Sequence, residues 1–141
     1  MSRVMAIDYG EKRCGIAISD PLKIIANAYA VLPPENILSE LKKIVREKEV
    51  DTIVVGYPVN MKSEKTNITK AVDKFIDLLK KEIPNVIIEK LDERLTSKMA
   101  QQTLILTHTK KSERQKKSNV DLIAATILLQ NYLDYHQPKK I

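Results

Sequence analysis

An aspartate stands where the first apolar run of the chain ends. Val4-Met5-Ala6-Ile7 leads into Asp8, and Tyr9-Gly10-Glu11-Lys12-Arg13-Cys14-Gly15 separates it from a second apolar run, Ile16-Ala17-Ile18. The pattern predicts a strand, a tight turn bounded by two glycines, and a returning strand. Glycine at both edges tolerates positive φ and lets another backbone or a phosphate come close. Lys12 and Arg13 place two cations within a few residues of the carboxylate. An acid beside a basic, glycine-bounded hairpin is what metal-assisted chemistry on a phosphate requires: oxygen ligands for a hard cation and positive charge for the attacked group. Asp and Gly are also common turn residues, so this segment by itself leaves an ordinary turn open.

Two further segments carry acids in comparable settings. Val86-Ile87-Ile88 is a short β-branched run, and Leu91-Asp92-Glu93-Arg94-Leu95-Thr96-Ser97 follows it. Later, Ser118-Asn119-Val120-Asp121 opens a long apolar helix, Leu122-Ile123-Ala124-Ala125 and beyond. Each acid has a plain alternative. Ser118 to Asp121 matches a capping box, in which Asp121 would only stabilise a helix start. Asp92 and Glu93 fit a solvated turn, and adjacent residues of an extended segment point to opposite faces, so only one of them would face a site.

The order of these segments carries a resemblance. Asp8, Gly10, Lys12, Arg13, Gly15, Ala17, Ser19 and Asp20 meet the pattern D-x-G-x-K-R-x-G-x-A-x-S-D. Gly56, Pro58 and Met61 meet G-x-P-x-x-M; Asp92, Glu93, Arg94 and Thr96 meet D-E-R-x-[ST]; Asp121, Ala124 and Ala125 meet D-x-x-A-A. With these motifs in this order over nearly its whole length, the chain resembles the YqgF family, also called RuvX-like. That family comprises Holliday junction resolvases and pre-16S rRNA nucleases of the ribonuclease H-like fold. Two positions depart from the family pattern: Cys14 replaces the usual aliphatic residue, and Lys62-Ser63 replaces a small turn after Met61. Free Cys packs as a small hydrophobe, so a buried strand should accept it.

The resemblance implies a metal-dependent endonuclease, with Asp8, Glu93 and Asp121 as catalytic acids and ligands of Mg2+ or Mn2+. Following the family motif, Glu93 is preferred and Asp92 is held in reserve. Two divalent ions about 4 Å apart, held by a few carboxylates, can supply a nucleophilic water, in-line geometry and charge neutralisation. Magnesium keeps several of its waters and takes one or two protein carboxylates, so three acids suffice for a pair of ions. Asp8, on a central strand, is the natural bridging ligand. Arg94 with Lys12 or Arg13 would hold flanking phosphates. The implied partner is nucleic acid: the 5′ end of pre-16S rRNA, within ribosomal precursor particles, or branched DNA.

Composition bounds the alternatives. At 141 residues, 43% hydrophobic and 30% charged, the chain reads as a single globular domain, 1–141, long enough to enclose a core. No apolar stretch approaches the roughly 20 residues of a membrane helix, and no secretory signal is apparent at the start. One cysteine forms no internal disulfide, and one Cys with two His makes no zinc site of the usual kind. A cytoplasmic location is the expectation. No Ser-His-Asp or Cys-His set suggests side-chain nucleophilic catalysis, and the tyrosines, Tyr9 included, read as packing residues. The net charge of +6 favours polyanions modestly. More telling is the stretch from His108 to Lys117, where Lys110, Lys111, Arg114, Lys116 and Lys117 face only Glu113. Lying just before Asp121 and lacking aromatics, it suits backbone phosphates better than stacked bases.

The elements that must position these residues follow from periodicity. Strands are expected over about 3–8, 15–19, 27–32, 52–55 and 86–91, and helices over about 35–48, 65–81, 96–106 and 118–135. Short early connections imply antiparallel hairpins, and later helical crossovers imply parallel strands. The expected fold class is therefore α/β: a mixed five-stranded sheet, three antiparallel then parallel strands, flanked by helices. The ribonuclease H-like fold has this order. With one apolar face per helix, and five tyrosines and one phenylalanine to anchor an interface, a monomer is favoured. Two other classes compete. A kinase- or actin-like ATPase shares the acidic hairpin but normally needs two such domains; a silent RNA-binding assembly factor would use the basic loop without the acids.

Overall fold

Short links fold the first three strands back on one another, and helical crossovers return the last two in parallel. The computed structural model describes residues 2–10, 12–57, 67–92 and 117–136. Its strands are β1 (Arg3–Asp8), β2 (Cys14–Ser19), β3 (Ala26–Leu32), β4 (Val50–Tyr57) and β5 (Ile87–Asp92), in the spatial order β3-β2-β1-β4-β5. β2 lies antiparallel to both β1 and β3, whereas β4 lies parallel to β1 and β5. A 3-10 turn (Pro34–Asn36) leads into helix α1 (Ile37–Lys48). Helices α2 (Asn67–Glu82) and α3 (Lys117–His136) complete the described elements.

This is the expected sheet. The differences are at element ends. β4 runs past its apolar core to Tyr57, because Gly56 and Tyr57 keep pairing with Leu91 and Asp92. The helix expected over 96–106 and most of the basic segment lie outside the described residues.

Strand alternation divides the core in two. Met5, Ile7, Cys14, Ile16, Ile53 and Val55 face α1 and α2, among Leu41, Ile44, Val72, Phe75 and Leu79. Val4, Ala6, Ala17 and Val54 face the opposite way, against Ala125, Leu128, Leu129 and Leu133 of α3. The spacing 125, 128, 129, 133 is one helical stripe. Alanines at 6, 17 and 125 let that helix lie close over the sheet. Tyr132 ties it laterally to β5: its hydroxyl bonds Glu89, and burial together with that carboxylate raises the phenol pKa well above its ordinary value. Among the described residues, no helix is long and apolar enough to cross a membrane.

Asp20 fastens the β2–β3 connection. Its carboxylate accepts from the backbone N–H of Ile24 (2.7 Å), Ile25 (2.8 Å) and Leu22 (3.2 Å). These donors, Ile25 foremost, hold its pKa below the ordinary 3.8. A depressed folded-state pKa contributes stability that is present above the unfolded value and lost as pH falls through the folded one. Asp20→Asn is therefore expected to cost about 1–2 kcal/mol at neutral pH. Urea melts at descending pH should show the gap to wild type narrowing once pH drops below the ordinary carboxylate range.

Candidate active site

Asp8 is the last residue of β1, and the pleat fixes where it stands. Val4 and Ala6 face α3, so Asp8, two residues on, shares their face. Tyr9 turns the other way and stacks on Phe75 of α2, with ring centroids 4.6 Å apart. Across the antiparallel pair, Asp8 faces Gly15, which has the parity of Ala17 and so lies on the α3 side. On the other flank, Ile7 pairs with Val55, and the next residue of β4 is Gly56, with the parity of Val54. The half-buried carboxylate is thus bordered on both neighbouring strands by positions that carry no side chain. A Cβ at either would rise on the α3 side beside it. A carboxylate in this setting suits the oxygen donor set of a hard cation.

The turn after Asp8 differs from expectation in its physics. None of the three glycines has positive φ. Gly10 is needed instead for close approach, since a Cβ there would stand 2.5 Å from the carbonyl oxygen of Arg13. Gly15 serves the face beside Asp8. Lys12 is exposed at the tip of the turn and Arg13 is half-buried. Cys14 is fully buried on the α1–α2 side, its Sγ 3.7 Å from the Gly10 carbonyl oxygen. That agrees with packing as a small hydrophobe and keeps sulfur on the face away from Asp8.

The last strand reaches the same edge of the sheet. β5 ends at Asp92, which pairs with Tyr57 one step beyond the Gly56 row. Along β5, Glu89 and Leu91 are on the α3 side. Lys90 is on the α2 side, 4.5 Å from the Tyr57 ring centroid and 3.5 Å from Asp73. Asp92 has the parity of Lys90. Glu93, directly after the strand, lies outside the described residues.

Gln130 sets the direction of α3. Its amide nitrogen donates to the Ile24 carbonyl (3.0 Å) and its amide oxygen accepts from the Ala26 N–H (2.9 Å). Ala26 pairs with Ser19, whose hydroxyl accepts from the N–H of Val4, so Gln130 sits where β1 begins. Ala124, Ala125, Leu128 and Leu129 are buried, which lays α3 over the sheet. Asp121 precedes the buried Ala125 by four residues. α3 begins at Lys117, so Ser118 and Asp121 are its second and fifth residues.

Among the described residues, no group of three His, Cys, Asp or Glu side chains is assembled as a metal site. What the fold brings to one edge is the Asp8 carboxylate, the end of β5 and the start of α3. Lys117 opens α3 at this same edge. Arg94, Lys110, Lys111, Arg114 and Lys116 lie outside the described residues.

Comparison with known proteins bears on the family and the fold. The family model RuvX, described as a Holliday junction resolvase, matches residues 2–135. A Bacteroides fragilis protein named "Putative pre-16S rRNA nuclease" is 42% identical over 134 residues, covering 95% of this chain and 97% of its own. A protein of the same name from Flavobacterium psychrophilum is 43% identical over 133 residues, covering 94% and 97%. Among solved structures, Thermus thermophilus RuvC in complex with a Holliday junction substrate superposes with a TM-score of 0.56 at 12% identity, over 96% of this chain and 97% of that one. Fowlpox virus resolvase, in complex with Holliday junction DNA, gives 0.58 at 15% identity, over 94% and 97%. At such identities the likeness shows the fold, which is ribonuclease H-like.

Proposed function

Because the chain belongs to the RuvX family, we propose that it is a metal-dependent endonuclease that hydrolyses phosphodiester bonds of nucleic acid, acting in 5′-end processing of pre-16S rRNA. The observation that carries this reading is the Asp8 carboxylate on the α3 face, between Gly15 and Gly56, at the edge where β5 ends and α3 starts. Asp8, Glu93 and Asp121 would hold Mg2+ or Mn2+. When bound, a pair of such ions supplies an activated water and neutralises charge on the attacked phosphate. Glu93 is preferred to Asp92 on the D-E-R-x-[ST] motif, with Asp92 held in reserve.

The chain's own residues do the rest. Asp8, at the sheet edge between Gly15 and Gly56, would hold the ion against which the reacting phosphate is seated. Lys12 and Arg13 at the turn, with Arg94, grip flanking phosphates. Lys110, Lys111, Arg114, Lys116 and Lys117 add affinity along the strand. Such contacts position a nucleic acid without reading its sequence. The RNA role follows the names of the 42–43% identical relatives. The family description favours a second reading, resolution of four-way DNA junctions. We place the protein in the cytoplasm as a single-domain monomer acting on ribosomal precursor particles.

Purified protein offered labelled pre-16S precursor and a four-way DNA junction, with Mg2+, Mn2+ or a chelator, tests the proposal. Metal-dependent cleavage of the RNA is expected. Cutting of the junction in its place would transfer the role to DNA, and binding without cleavage of either would replace the nuclease by an assembly factor.

The basic segment carries its own prediction. Changing Lys110, Lys111, Lys116 and Lys117 together to Ala should weaken binding. It should also flatten the log–log salt dependence by roughly one unit for each phosphate no longer neutralised. Filter binding across a salt series reads the slope, and an unchanged slope would return these lysines to a merely solvated surface.

A further inference from the structure

On the other side of the sheet edge from Asp8, a cavity of about 440 Å³ opens between the start of α1 and the middle of α2. Its walls include Tyr9, Phe75, Ile37 and Leu78, and its rim carries Asn36 and Lys74. We propose that this cavity binds an unpaired nucleobase of the substrate strand, next to the phosphate held at Asp8. The inference rests on the nucleic-acid reading above and adds a subsite to it.

Continuity with the candidate site is the first argument. Asp8 and Tyr9 are consecutive, about 3.8 Å apart at Cα, and the pleat sends them to opposite faces. A strand laid over the edge with a phosphate at Asp8 therefore meets the Tyr9 side within a neighbouring nucleotide. α1 starts at this same edge, because β3 ends there with Leu32 paired to Cys14.

Lining chemistry is the second argument. The volume falls within the roughly 300–1,000 Å³ of small-ligand sites. Tyr9 and Phe75 are stacked with 28° between their planes, giving a broad apolar wall. Leu78 is 45% exposed at the mouth, an apolar surface no other part of the described chain covers. A nucleobase needs such a wall for its π-face together with donors and acceptors at its edge. The Asn36 amide makes no capping bond to α1 and stands at the rim. Lys74, exposed on α2, offers a cation to the attached phosphate. An extended protein segment or a helix would need a longer apolar groove than this.

The test uses the full chain carrying Asp8→Asn, so that binding is read without cleavage. Short ribo- and deoxyribo-oligonucleotides, each with one abasic position, are titrated by fluorescence anisotropy. One position should matter: loss of its base should weaken binding about tenfold, the scale of one base–aromatic stack. Ser39→Trp, an exposed substitution in the cavity wall, should abolish that position's effect while leaving the salt slope unchanged. Lys74→Ala, which fills nothing, should reduce affinity without erasing the position dependence. A 5-iodouracil at the sensitive position should photocrosslink to the peptide containing Tyr9 or Phe75. The proposal is overturned if no abasic position matters, or if the pattern survives Ser39→Trp. The two readings separate cleanly: wild-type cleavage without abasic sensitivity removes the subsite alone. Sensitivity that Ser39→Trp erases, in a protein that cuts nothing, keeps the subsite and removes the nuclease. Equal sensitivity in RNA and DNA is expected of stacking, and a response in only one assigns the strand type.

Discussion

Asp8→Asn should lower phosphodiester cleavage by at least about 10²–10³-fold, the range in which loss of one preorganised charge-stabilising group falls, and leave the melting temperature close to wild type. Asn keeps the size of Asp and one of its oxygens, so a half-buried position at a strand end should retain its packing. What disappears is a full negative charge at the end of β1, between the Gly15 and Gly56 positions of the neighbouring strands. Three measurements separate the possibilities: cleavage of labelled substrate, thermal melting, and Mn2+ affinity by electron paramagnetic resonance. Lost cleavage with weakened Mn2+ binding and an intact fold is the expected set. A folded Asp8→Asn protein that still cuts at the wild-type rate would remove Asp8 from the mechanism.

Much of the frame that positions Asp8 is legible in the sequence, because apolar periodicity and short connections report directly on strands and hairpins. The five strands, their mixed directions and the helices α1, α2 and α3 follow from patterns such as Thr52-Ile53-Val54-Val55 or the 125, 128, 129, 133 stripe. The end of β4 is less legible. Gly56 and Tyr57 have no strand signature of their own and stay in the ladder only because β5 offers Leu91 and Asp92 as partners. In sequence the glycines suggest conformational freedom, yet their φ values are ordinary. Their use is space, for the Arg13 carbonyl at Gly10 and for the face beside Asp8 at Gly15, and space becomes visible only once register is known. The cavity beneath Tyr9 has no local signature at all. Its walls come from β1, α1 and α2, segments separated by tens of residues, and only the crossover topology brings them together.

The acids at 92, 93 and 121 carry distinct expectations. In sequence, Asp92 and Glu93 are adjacent, and Asp121 could cap a helix. Along β5, Leu91 packs on the α3 side and Lys90 on the α2 side, while Glu93 lies outside the described residues and is preferred on the D-E-R-x-[ST] motif. α3 starts at Lys117, which makes Asp121 its fifth residue. Glu93→Gln and Asp121→Asn should therefore each reduce cleavage on the scale of Asp8→Asn, whereas Asp92→Asn should stay within about tenfold of wild type. Ligands of one site fail as a unit, so Asp8→Asn combined with Glu93→Gln should lose little beyond the worse single variant. Thermal melts run alongside distinguish the alternatives. If Asp121 merely supported the helix, Asp121→Asn would lower stability by about 1 kcal/mol and spare turnover. If Asp92→Asn were the inactive variant and Glu93→Gln the active one, Asp92 would take the ligand role assigned to Glu93.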